Sequence, residues 1–89
     1  MTKSSGITTN VILNILEAQD FKCALSGIPL TPGTAQLDHI VPTRRGGSHE
    51  PDNVQVLFED VNRAKSAMLE AEFVDMCRKV VEHADRDDK

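Results

Sequence analysis

Two short apolar runs separated by a long polar segment constrain the fold of this chain most. Residues 35–41 (AQLDHIV) and 54–58 (VQVLF) have the composition and alternation of strands, whereas residues 42–53 carry two prolines and two glycines and no apolar period. Connections of about twelve residues without regular structure are uncommon in compact domains and are often functional. The pattern therefore predicts two paired strands joined by a loop with a task of its own.

Helical periodicity flanks the predicted strand pair on both sides. Apolar residues at helical spacing predict a helix over residues 8–20, with Thr8 or Thr9 as its cap. A second helix is expected to follow Phe58, with acidic residues in its first turn and Val61 and Met68 on its buried side.

The longest apolar stripe predicts a last helix over residues 69–84. Met76 and Cys77 lie on this stripe, and we expect both to pack in the core. Residues 1–7 are polar and are predicted to be disordered.

The chain has 89 residues, which is the size of one small domain, so we expect a single α+β domain over residues 1–89. It has no run of about 18 apolar residues, which excludes a membrane span. The two cysteines form no CxxC pair and no secretory signal precedes them, which predicts reduced thiols and a cytoplasmic protein.

The charge balance does not favour a nucleic-acid-binding protein at first sight. The net charge is −4, although DNA-binding domains are usually basic. Seven of the fourteen acidic residues, however, follow residue 69. The middle of the chain is locally basic, and its four candidate phosphate contacts are Arg44, Arg45, Arg63 and Lys65.

Four short motifs occur in a fixed order around the polar segment: DHIVP, GG, DNVQVL and VNRAK. In this order and spacing they resemble the HNH endonuclease family, the ββα-metal or His-Me finger nucleases. The resemblance covers about residues 23–66 and implies a ββα-metal core over residues 35–66. It also implies DNA as the partner and cleavage that leaves 5′-phosphate and 3′-hydroxyl ends.

The resemblance implies a role for each of four residues. His39 matches the general base, and Asn53 matches the residue that steadies the loop and the histidine. Asp38 and Asn62 match the metal ligands, with asparagine where many members have a final histidine. His49 matches no family position, and we expect it to be structural or idle.

The chemistry of phosphodiester hydrolysis asks for the same residue types independently of the family. A proton must leave water near neutral pH, and imidazole suits that task. A cation must offset the charge of the phosphate and of the departing oxygen. Carboxylate and amide oxygens are hard ligands that suit Mg²⁺ or Mn²⁺.

The chain departs from the family where many members bind a structural zinc through two CxxC pairs. Only Cys23 is present of the four ligand positions, because residues 26, 58 and 61 are serine, phenylalanine and valine. A closed zinc site needs four ligands, so we expect no structural zinc. Phe58 and Val61 are expected to pack against Cys23 and Leu25 instead.

Three interpretations of the sequence are open at this point. The first is a metal-dependent DNA endonuclease. The second is an HNH fold that binds nucleic acid or a larger assembly without cutting, which the acidic balance favours. The third is a structural domain in which the motif is coincidental. The intact set of Asp38, His39, Asn53 and Asn62 favours the endonuclease. The sequence does not decide whether the chain has a protein partner or forms a homodimer.

Overall fold

This computed structural model describes residues 6–86 of the chain. They form three α-helices and one two-stranded antiparallel sheet. The fold is therefore of the predicted α+β class. Of the segment 1–7 that was predicted to be disordered, residues 1–5 lie outside the described part. In chain order the elements are α1 (Thr9–Ala18), β1 (Ala35–His39), β2 (Val54–Phe58), α2 (Glu59–Lys65) and α3 (Glu70–Arg86).

Helix α1 begins after a threonine cap and ends earlier than its apolar period predicts. The Thr8 hydroxyl accepts a hydrogen bond from the Val11 amide at 3.2 Å, which satisfies one free donor of the first turn. The helix ends at Ala18 because the chain then turns through two left-handed residues, Asp20 and Phe21, with φ of 58° and 56°.

The side chain of Gln19 fastens the end of α1 to the outer edge of β2. Its amide nitrogen donates to the Val56 carbonyl at 2.9 Å, and its amide oxygen accepts from the Val56 amide at 3.0 Å. A primary amide thus pairs with one strand residue as a neighbouring strand would. This contact covers an edge that a two-stranded sheet would otherwise leave open.

Strands β1 and β2 pair in an antiparallel register from Ala35 opposite Phe58 to His39 opposite Val54. The second strand has the predicted bounds, but the first ends two residues before Val41. The Ile40 amide still donates to the Asn53 carbonyl at 2.8 Å, whereas the Val41 amide donates to the Asn53 side chain at 2.9 Å. A side-chain acceptor replaces the next rung of the ladder, and the strand stops.

The core is small and contains a lysine. Its buried apolar residues are Cys23, Val54, Val56, Leu57 and Phe73. In helix α2 the buried side chain is Lys65, whereas Val61 and Met68, which the periodicity assigned to the core side, are only half-buried.

Helix α3 does not pack along its apolar stripe. Phe73 is its one buried residue among those described, and it is 7% exposed. Met76 is 41% exposed and Cys77 is also exposed, so the core positions predicted for these two residues are wrong. The physical reason is that α3 runs outward after its first turns, so its later residues lie away from the core. The molecule extends 60 Å along its longest axis.

Within residues 6–86, no helix combines the length and the apolar content that a bilayer crossing requires.

The burial of α3 predicts that alanine substitutions at two of its apolar residues change the free energy of unfolding by very different amounts. Phe73→Ala should lower the free energy of unfolding by about 3 kcal/mol, because it opens a cavity at the base of the helix. Val80 is 61% exposed, so Val80→Ala should change it by less than about 0.5 kcal/mol. Urea denaturation followed by circular dichroism measures both. Equal losses in the two variants would contradict the described packing of α3.

Candidate active site

The side chain of Asn53 clamps the two ends of the loop that joins β1 to β2. Its amide oxygen accepts from the Val41 amide at 2.9 Å. Its amide nitrogen donates to the Val41 carbonyl at 3.0 Å and to the Ser48 carbonyl at 2.7 Å. One amide group thus binds the first and the later part of the loop, so the loop is anchored although it has no core of its own.

Gly47 allows the loop to pass close to the end of β1. A Cβ atom at this position would lie 1.7 Å from the Val41 carbonyl oxygen and 2.9 Å from the Asn53 amide nitrogen. No side chain fits at the first distance, so the backbone approach that the Asn53 clamp needs requires glycine. The two features are parts of one loop conformation.

The loop brings a second histidine onto His39. His39 Nε2 lies 2.7 Å from His49 Nδ1, and the ring centroids are 4.9 Å apart. The Nδ1 atom of His39 has no hydrogen-bond partner among the described residues. The sequence predicted a structural or idle His49, and no motif signals its contact with His39, because only the folded loop creates it.

Asp38 points into the protein, where a lysine and a glutamine hold its carboxylate. The side chain of Lys65 is fully buried, and its Nζ lies 3.2 Å from Asp38 Oδ2 and 3.4 Å from Oδ1. Gln55, which stands opposite Asp38 in the sheet, donates its side-chain amide to Oδ2 at 3.0 Å. Lys65 also donates to the His39 carbonyl at 3.3 Å.

The nucleic-acid contact predicted for Lys65 is therefore wrong. A phosphate cannot reach an ammonium group that is fully buried beneath α2 and paired with a carboxylate. A sequence signal for this placement existed. Lys65 follows Asn62 by three residues, so a helix that turns Asn62 toward β1 turns Lys65 the same way.

Asn62 reaches the same face of β1 but contacts a different residue. Its amide nitrogen donates to Gln36 Oε1 at 2.8 Å, while its amide oxygen has no partner among the described residues. Gln36 and Asp38 are two residues apart in the strand and therefore share one face. The structure thus brings Asn62 beside the strand segment that carries Asp38, without a contact between the two side chains.

The three predicted arginine contacts differ in how much of their charge is already compensated. Arg45 donates to Glu72 at 2.6 Å and 3.3 Å, and this hydrogen bond and the charge of Glu72 raise the pKa of Arg45. The same contact with Arg45, aided by the Leu69 amide, lowers the pKa of Glu72. Arg63 pairs with Asp60 at 2.9 Å.

Arg44, in contrast, has no ion pair within the described chain. It also lines an open pocket in front of Asp38 and His39. The pocket is formed by Asp38, His39, Pro42, Thr43, Arg44, Ser66 and Ala67.

Cys23 is buried, and its thiol has several hydrogen-bond partners. Burial raises the pKa of the Cys23 thiol. Hydrogen bonds from the Ser26 side chain and from the backbone of Phe58, Leu25 and Ser26 together lower this pKa by more, so the net shift is downward. Leu25 and Val61 line a common groove, and the thiol of Cys23 contacts the Phe58 backbone. Packing of the Phe58 side chain against Cys23 stays a prediction.

The oxygen atoms available near β1 fit one hard divalent ion better than a metal site built from several histidine, cysteine, aspartate or glutamate side chains. Among residues 6–86, no group of three histidine, cysteine, aspartate or glutamate side chains comes together. Asp38 supplies carboxylate oxygens at the pocket, and the unpartnered amide oxygen of Asn62 lies near the same face of β1. Both are ligand types that Mg²⁺ and Mn²⁺ accept.

Comparison with known proteins agrees with the motif order. A profile model of the HNH endonuclease family matches residues 23–67, which is just over half of the chain. No curated protein sequence matches the chain. The matched residues include β1, the clamped loop, β2 and α2, so the family match and the pocket coincide.

The close approach of Gly47 to Val41 predicts that a single added methyl group at residue 47 strongly lowers the stability of the fold. Gly47→Ala should lower the free energy of unfolding by about 1–3 kcal/mol, because the loop must move away from Val41. Gly33→Ala is the matched control, since the nearest atom to its Cβ is 4.0 Å away. Urea denaturation measures both variants. A Gly47→Ala protein as stable as the Gly33→Ala protein would show that the loop is not held against β1.

Proposed function

The chain belongs to the HNH endonuclease family, and from that premise we propose that it is a metal-dependent DNA endonuclease. The proposed reaction is hydrolysis of a phosphodiester bond that leaves 5′-phosphate and 3′-hydroxyl ends. One observation carries the proposal: His39 lines an open pocket beside Asp38, with one ring nitrogen bonded to His49 and the other without a hydrogen-bond partner among residues 6–86.

His39 acts as the general base in this proposal. When its Nε2–H donates to His49 Nδ1, the lone pair of His39 is on Nδ1, which is the nitrogen without a partner. A water in the pocket can then transfer a proton to Nδ1 as its oxygen attacks phosphorus. His49 keeps accepting the Nε2–H bond while His39 is positively charged, so the ring orientation is preserved.

Asp38 and Asn62 would hold one Mg²⁺ or Mn²⁺ ion. The bound ion would offset the negative charge that develops on the phosphate and on the departing 3′ oxygen. Asn53 does not take part in proton transfer. It holds the loop, and through the loop it holds His49 and the end of β1 in place.

DNA would approach the pocket from the side of Arg44. This guanidinium is exposed, has no acidic partner in the described chain and lines the pocket. Arg45 and Arg63 contribute less, because Glu72 and Asp60 compensate their charges. With a net charge of −4, long-range attraction to DNA is weak, and the contact depends on local charge.

A second candidate function is a module that binds nucleic acid or a larger assembly without cutting. The exposed apolar residues of α3 favour it, since Val80 and Val81 are 61% and 56% exposed. Exposed apolar stripes of this kind are common at protein interfaces. A protein partner or a homodimer is compatible with both candidate functions.

The proposal predicts that His39→Ala loses nicking while it keeps its fold. Removal of a general base should reduce the rate by about 10²- to 10⁴-fold. The assay is conversion of supercoiled plasmid to the nicked form with Mg²⁺ or Mn²⁺, and EDTA should abolish it. His83→Ala, which removes a histidine from α3, is the control and should nick like the parent.

Equal nicking by His39→Ala and the parent would exclude His39 as the base. If the parent binds DNA in a gel-shift assay but nicks it with neither metal, the non-cleaving module is the correct function.

The loss of three cysteine positions predicts a protein that folds without zinc. Elemental analysis should find no stoichiometric zinc, and EDTA should leave the helical circular dichroism unchanged. Removing a structural zinc normally removes folding free energy, so a zinc-dependent protein would unfold on chelation. One zinc per chain, together with melting by EDTA, would show that Cys23 has ligands other than those of the family pattern.

A further inference from the structure

Lys65 is a buried charge with no task in the proposed mechanism. Its side chain has no exposed surface, although lysine is almost never fully buried unless it is paired. Its ammonium lies within 3.4 Å of both Asp38 oxygens and 3.3 Å from the His39 carbonyl. The amine therefore contacts the backbone of one proposed functional residue and the carboxylate of another.

The position of this ammonium matters for any cation that approaches Asp38. Asp38 is 7% exposed and lines the pocket, so an ion would reach it through the pocket. Its carboxylate already contacts the Lys65 ammonium and the side-chain amide of Gln55. An ion bound to the carboxylate would stand near a positive charge in a buried setting, where like charges repel strongly.

We propose that Lys65 is an internal counter-ion that orients the Asp38 carboxylate and lowers its affinity for a divalent cation. The inference rests on the proposed function, since it takes Asp38 as the ion's ligand. Lys65 is thus a positioning residue. It holds the carboxylate in place before an ion arrives, and its own charge opposes that ion.

A purely structural lysine and a counter-ion differ in one measurable respect. Removing either kind destabilises the fold, because Asp38 is left as an unpaired buried charge. Only if the carboxylate faces the cation site can an added divalent ion replace the missing positive charge. The distinguishing readout is therefore stabilisation by metal, measured without DNA and without turnover.

The experiment compares Mn²⁺-dependent thermal unfolding of the parent and of Lys65→Met, which keeps the length and removes the charge. Lys65→Met should melt lower than the parent without metal and should recover with Mn²⁺. Its apparent Mn²⁺ dissociation constant should be at least about tenfold lower than that of the parent, which corresponds to ~1.4 kcal/mol.

Two controls locate the effect. Arg63→Met removes the same charge from an exposed position of the same helix, so its Mn²⁺ response should equal that of the parent. Asp38→Asn combined with Lys65→Met should lose the recovery, because the carboxylate that binds the ion is gone. An equal Mn²⁺ response in the parent and Lys65→Met, or recovery that persists without the Asp38 carboxylate, would overturn the inference.

A variant that does not fold still decides the question. If Lys65→Met is unfolded without metal, Mn²⁺ should restore its helical circular dichroism, and the same holds for Lys65→Gln. Failure of both variants to refold with Mn²⁺ counts against the counter-ion role. If the parent nicks no DNA but Mn²⁺ stabilises Lys65→Met through Asp38, the nuclease proposal fails and this inference stands.

Discussion

The three hydrogen bonds of the Asn53 amide are the constraint on which the rest of the site depends. They join Val41, two residues after the end of β1, to Ser48, seven residues further along the loop. A loop without a core would otherwise sample many conformations, and each ordered residue costs conformational entropy. Because one side chain binds backbone groups at the start and in the middle of the loop, a few residues fix the position of His49 against His39.

The second determinant is a polar contact in the middle of a very small core. Asp38, Gln55 and Lys65 are all buried, and they form one connected group under α2. Buried ion pairs add little net stability, but removal of one partner is costly. The group therefore fixes how α2 sits on β1 more than it strengthens the fold, and this placement brings Asn62 to the face of β1 that carries Asp38.

The features that could be predicted from the sequence are those that short-range patterns determine. Strand β2 has its predicted bounds because alternation and the flanking turn residues are local signals. The cap of α1 at Thr8 is local in the same sense. The family motif drew attention to Asn53, whose amide forms three hydrogen bonds to the loop. The roles of the motif residues in cleavage stay a proposal.

The features that could not be predicted depend on what lies opposite a residue in space. The stripe of α3 has the period of a packed helix, but a period does not reveal whether a partner surface exists beyond Phe73. In the sequence, Lys65 resembles a surface lysine. Its burial depends on the position of β1, which carries its partner Asp38. Gln19 gives no local sign that it will pair with Val56, 37 residues away.

The exchange rate of the Val41 amide proton tests the Asn53 clamp most directly. This amide donates to a side chain in a loop, while the neighbouring Ile40 amide donates to the backbone of the adjacent strand. If Asn53 holds the loop in the free protein, NMR hydrogen exchange should find the two amides similarly protected in the parent. In Asn53→Ala, Val41 should lose more protection than Ile40. Exchange of the parent Val41 amide at the rate of an unstructured loop would contradict a preformed site.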